Sequence, residues 1–237
     1  MRTSAVLFVA LLAGCGNESA PLAAADGTDS VSSAPVASST TRVATYPTFR
    51  DRAGELVNPD ESSMVMLYFD LSAMTPPLDQ WVEEDTRVQM APGAKKAALR
   101  SQVRSELEAT AASVRDVGVI RVSISTQLSP YDTTYGEYTI SGLAPSSLLT
   151  FKSMGQEVSL RFGNGRAAQI WAVPQPQAQS IDDALGYDRS VTVDALLHIS
   201  GVQPAPRGGT IVADVVEYEL HQTRDQRLLA RVTVPRS

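Results

Sequence analysis

Cysteine occurs once in these 237 residues and histidine twice. A lone cysteine excludes an internal disulfide and a cysteine-based zinc site. Clustered positive charge is also missing. Lys95–Lys96 is the only adjacent basic pair, so the basic footprint that nucleic-acid binding requires is absent. There is no Gly-x-Ser-x-Gly elbow, no Ser-x-x-Lys and no phosphate-cradling loop ending in Gly-Lys-Ser/Thr. No apolar run is long enough to span a bilayer as a helix. What is present is a chain that is 43% hydrophobic with a formal net charge of −6, enough for one good-sized domain with its own core.

The single cysteine is informative through its position. Met1–Arg2 is a short positive segment, Ala5 to Ala13 is apolar, and the small residues Ala13 and Gly14 directly precede Cys15. That is the layout of an export signal. Leu12-Ala13-Gly14-Cys15 resembles the lipobox of bacterial lipoproteins. The resemblance implies cleavage before Cys15, a lipid on its sulfur, and anchoring to a membrane that more than one acyl chain makes stable. Loss of residues 1–14 removes one Arg and no acid, leaving a formal charge of −7. Gly16, where an Asp would signal retention in the inner membrane, points to the periplasmic face of the outer membrane. Residues 15–45 are rich in Ser, Ala, Thr and Pro and read as a flexible tether. About 30 such residues reach on the order of 30 Å.

Residues 46–237 read as a single α+β domain: helices over about 59–117, then strands over about 118–235 in a mostly antiparallel sheet or sandwich. Asn58-Pro59-Asp60-Glu61 is a helix-start signature, with Asn58 as the cap. Met64, Leu67, Tyr68, Leu71 and Met74 follow at helical spacing, and Thr75-Pro76-Pro77 separates them from a helix carrying Leu78, Trp81 and Val82. A third helix runs from Ala94 to Val117, with Gly118 as its C-cap. The period then changes to two. Ile120, Val122 and Ile124 alternate with polar residues, and Tyr131 to Ile140 follows as a strand. Leu148 to Phe151 is short and apolar. Val158 to Val173 reads as a hairpin about Gly163-Asn164-Gly165, pairing Leu160 with Ala168. Pro174 to Gly186 reads as a short helix or loop. Val191, Val193, Ala195, Leu197 and Ile199 form one strand face, and Ile211–Leu220 with Leu228–Val234 a last hairpin.

Several stretches resemble a family of uncharacterised bacterial envelope proteins that carry a domain of unknown function. They are Leu67-Tyr68-Phe69-Asp70, Trp81 to Asp85, Tyr131-Asp132 with Gly136-Glu137-Tyr138, Arg161-Phe162-Gly163-Asn164-Gly165, and Trp171 to Pro174. The resemblance implies an envelope location and brings no catalytic residue with it.

Candidate chemistry is sparse. His198 lies four residues after Asp194, and on a strand the two share a face about 13 Å apart, too far to share a metal ion. His221 falls in a polar turn before Arg224–Asp225 and reads as solvated. Glu83-Glu84-Asp85 and Asp182–Asp183 offer oxygen ligands for Ca²⁺ without the spacing of a calcium loop and read as solvated faces. No catalytic, metal or cofactor site is expected. Tyr131, Tyr135 and Tyr138 are the candidate contact surface, with Tyr131 and Tyr135 on one face of a strand and Tyr138 on the other. The leading expectation is a non-enzymatic, lipid-anchored module that binds an envelope protein or the cell wall. The alternatives are a carboxylate-based hydrolase of cell-wall glycans and a lipid or hydrophobe carrier.

Overall fold

The computed structural model describes residues 49–235. The signal segment, Cys15 and the whole of the tether lie outside them. The fold is α+β. Its centre is a seven-stranded sheet, accompanied by a separate two-stranded ribbon.

A strand opens the domain ahead of the helices. Gly54–Val57 (β1) pairs in parallel with Val117–Gln127 (β2). Glu61–Leu71 (α1) follows, and its cap is Asp60, not Asn58: the Asp60 carboxylate accepts from the Ser63 amide at 2.7 Å. Asn58 instead turns the chain with φ +44°, and its side chain accepts from the Ser123 amide at 2.9 Å, tying this turn to β2. Short polar side chains tolerate that left-handed conformation. Met64, Leu67, Tyr68 and Leu71 are buried as their spacing predicts, but Val65, Met66 and Phe69 are buried too. Met74 lies beyond the helix and is exposed. The second buried face of α1 is explained by what lies over it. Leu78–Glu84 (α2), Thr86–Gln89 (α3) and Gly93–Ser113 (α4) follow, and α4 packs on α1 and α2. Val82, Val88 and Val103 form a small core of their own among these helices. Helix α4 stops at Ser113, and Gly118 belongs to β2. A side chain at Gly118 would overlap the Arg52 carbonyl, so the glycine serves close backbone approach and not a helix cap.

Beyond β2 the strands differ most from expectation. Glu137–Thr139 (β3) is short, and the chain before it is a turn closed by the Asp132–Glu137 bridge. Leu148–Ser153 (β4) and Gln156–Phe162 (β5) form the hairpin, turning at Met154 and Gly155, both at positive φ. No hairpin forms about Asn164. Gly165–Ala168 (α5) leads to Ile170–Ala172 (β6), which pairs with β3 as the ribbon. Leu160 therefore faces Leu149 and Ile211, not Ala168. Gln175–Leu185 (α6) buries Ala178, Ile181 and Leu185. Ser190–Ala205 (β7), Gly208–Gln222 (β8) and Leu228–Thr233 (β9) complete the sheet.

The sheet order is β1-β2-β7-β8-β5-β4, with β9 also on β8. It is mixed: β1–β2 and β5–β8 are parallel and the other pairings antiparallel. One edge of β8 is thus shared, by β5 at its first half and β9 at its second. In the gap between them, the Asn164 side-chain amide bonds both backbone groups of Val215, each at 2.8 Å. It takes the place of a strand there. The alternating residues Val191, Val193, Ala195, Leu197 and Ile199 are all fully buried on the core face, as their period predicts. Each large apolar side chain buried this way contributes about 1.5–3 kcal/mol. The opposite face carries the polar partners of that alternation.

Candidate functional site

The starts of α1 and α3, the ends of α2 and the middle of α4 converge on the β4–β5 turn. Between them runs an open groove of about 650 Å³. Its apolar floor includes Trp81, Val103, Leu107 and Met154. Its walls carry four carboxylates, Asp60, Glu84, Asp85 and Glu106, against one guanidinium, Arg87. Across one end Ser62 and Ser153 touch hydroxyl to hydroxyl at 3.1 Å, joining α1 to the hairpin.

Each of these acids already has a donor. Asp60 caps α1. Glu84 accepts from Gln80 at 2.7 Å. Asp85 caps α3 through the Arg87 amide at 2.8 Å and pairs with the Arg87 guanidinium at 2.9 Å. The same guanidinium reaches Glu106 at 2.7 Å, and Gln102 donates to Glu106 at 2.9 Å. Hydrogen bonds from Arg87 hold both the Asp85 and the Glu106 carboxyls below their ordinary values. These groups stay ionised. A glycosidase acid needs the opposite shift, a carboxyl kept protonated near neutral pH. The groove can therefore hold positive charge, with apolar surface beneath for the stems of long basic side chains. Glu83, the remaining acid of the Glu83-Glu84-Asp85 run, pairs with Arg100 at 2.6 Å outside the groove lining. The sequence shows that run but not its partners, since Asp60 and Glu106 come from other helices.

The three tyrosines do not form one surface. Tyr131 and Tyr135 precede β3 and are not in a strand. The Tyr131 and Tyr138 rings pack together with centroids 5.2 Å apart, and Tyr138 stacks on Trp171 at 5.4 Å. Tyr138 is fully buried, donating its hydroxyl to the Ala178 carbonyl or the Asp182 carboxylate, each at 3.0 Å. Tyr131 donates to the Val173 carbonyl at 2.7 Å. Only Tyr135 is exposed. The pair reads as packing because a turn, not a strand, puts both rings on the same side. Asp182 also pairs with Arg189 at 3.0 Å and is structural as well, whereas Asp183 is exposed.

The histidines are placed differently from one another. His198 lies on the polar face of β7, opposite Val119 and Asp214, with Nδ1 3.1 Å from the Ile199 carbonyl. Asp194 is remote from it along the strand, as the spacing predicts. Its histidine neighbour is His221, which is not in a turn but near the end of β8 and partly buried. Its Nε2 lies 3.4 Å from Asp194 Oδ2 and 3.3 Å from Glu219 Oε2. Register explains the row: Ser123 opposes Asp194, Asp194 opposes Glu219, and Glu219 opposes Arg231 across four strands. Ser123 donates to Asp194, and no hydrogen bond links it to His221, so the row contains no nucleophile–base pair. Among the described residues no group of three His, Cys, Asp or Glu is placed to hold a metal ion, and no helix among them is long and apolar enough to cross a membrane. No protein-family model, curated protein or solved structure matches this chain.

Proposed function

We propose that this chain is a non-enzymatic binding module of the bacterial envelope, fixed through a lipid on Cys15 to the periplasmic face of the outer membrane. In this reading residues 15–45 are the leash and the acidic groove takes a basic segment of a partner protein. The envelope-family resemblance belongs to the same proposal. One observation carries it: four carboxylates against one guanidinium over an apolar floor, in a groove open to solvent. Such a surface attracts Lys and Arg side chains and sets association rate and specificity more than affinity. The acidic lining is also what a glycan hydrolase would require, but Asp85 and Glu106 share one guanidinium and are both held ionised. That leaves neither as a proton donor.

The test is photocrosslinking in cells. A photoreactive amino acid at Thr110, inside the groove, should capture a protein partner, and reversing charge at Glu84 and Glu106 together should abolish the product. The same probe at Ser125, on the polar sheet face, is the control. Capture at Ser125 and none at Thr110 would refute the groove as the contact site.

A further inference from the structure

On the polar face of the sheet lies a second cavity, of about 540 Å³, whose character is the reverse of the acidic groove. Phe49, Arg161, Ser200, Gln203, Pro204 and Val212 are among its lining residues, and no acid is. Arg161 is the unusual member. Seven other arginines, at 52, 87, 100, 104, 121, 189 and 231, are in ion pairs. Among the arginines whose side chains are described, those at 115, 166, 207, 224 and 227 have no ion pair and are exposed, whereas Arg161 has none and is partly buried. Its Nε is buried and has no hydrogen-bond partner among the described residues. Register shows why no acid meets it: its cross-strand neighbours are Leu148 on β4 and Val212 on β8. The stem is thus flanked by apolar side chains, and Arg161 is a lining residue of the cavity.

A buried donor left unpaired is costly, and a charged one more so. In a chain where acids outnumber bases by 26 to 20, a half-buried arginine without a carboxylate is a position that an outside acceptor can complete. We propose that this cavity binds a small organic monocarboxylate, with the carboxylate on Arg161 and the apolar body against Phe49, Pro204 and Val212. The planar guanidinium matches a carboxylate in a two-bond fork. The cavity volume lies in the range of small-molecule sites. Gly201, at the irregularity of β7, leaves the cavity open on that side; its nearest neighbour to an added Cβ is Val212 at 3.8 Å, so a side chain fits there without backbone change.

The test uses the full chain, ¹⁵N-labelled, titrated with hexanoate and, as a control of equal apolar length, hexanol. Hexanoate should shift the Arg161 Nε–H resonance saturably and raise Tm, and hexanol should do neither at that resonance. Arg161→Gln should weaken hexanoate binding by roughly tenfold to a hundredfold, the loss of a charge-assisted pair. Gly201→Leu should block it by filling the cavity while Arg161 remains. Absence of a saturable shift in the wild type, or undiminished binding by Gly201→Leu, overturns the proposal; if Arg161→Gln does not fold, those two measurements still decide it.

Discussion

Two tyrosine residues are both buried, with their hydroxyls in opposite surroundings. Tyr138 is bonded to Ala178 and Asp182, whereas the Tyr218 hydroxyl has no partner among the described residues. Tyr138→Phe should therefore cost about 1–1.5 kcal/mol, and Tyr218→Phe should be neutral or stabilising. Thermal melts of both variants check this. Burial raises the pKa of each above the ordinary 10.0, for Tyr138 with help from the Asp182 hydrogen bond. A raised folded-state value means that stability is complete below pH 10 and is lost as pH climbs beyond it. Each variant should flatten that alkaline loss. Tyr138 also marks the limit of sequence reading at this scale. Three tyrosines within eight positions suggest a surface, and nothing local reveals that Trp171 and Ala178 come to cover one of them. His221 is a similar case: the residues that follow it are polar, yet it lies in β8 with Nε2 3.4 Å from Asp194 of the neighbouring strand.

Among the elements, those with long periodic patterns were legible and those set by special backbone geometry were not. β2, β7 and the buried stripe of α1 follow from their spacing. The hairpin was misplaced because Asn164–Gly165 carries the expected turn chemistry, while the true turn uses Met154–Gly155 with methionine at φ +52°. Asn164 is needed for another purpose, completing the ladder of Val215. Asn164→Ala would orphan a donor and an acceptor at once and should destabilise the fold by about 2–4 kcal/mol. Denaturant melts measure it, and an effect under about 0.5 kcal/mol would show that solvent replaces the amide. The helical layer adds surface ion pairs to its apolar packing. Arg87 lowers the pKa of Asp85 and Glu106, so its contribution is present above the ordinary carboxylate values of 3.8 and 4.5 and is lost as pH falls through them. Arg87→Gln should shallow the acid limb of a Tm–pH profile, by a modest amount because the pair is exposed and screened.

At the scale of the whole molecule, the compact unit to which the described residues belong spans Thr45–Ser237. The α+β class was legible from helical periods giving way to period two. The mixed sheet was not, because β1 lies before the helices and finds β2 only through tertiary contact. The candidate groove was illegible for the same reason, drawing its acids from α1, α2, α4 and the turn before α3. On the anchoring proposal, a palmitate analogue should label the wild type and not Cys15→Ser, and the variant should leave the membrane fraction or persist as precursor. Equal labelling of both would overturn the proposal.

The strand order carries a consequence for assembly in time. Ile120 pairs with Leu197, and Phe162 with Ala213, so both outer parts of the sheet are completed only by β7 and β8. A chain leaving a ribosome from its N-terminus has made its described helices and six of its strands, four of them in the central sheet, before either partner exists. Until that late hairpin emerges, α1 has only the β4–β5 hairpin of the sheet to pack on, β1–β2 and β5 lack their central partners, and long-range pairing of this kind is slow to form. The topology thus delays closure of the core to the end of the chain.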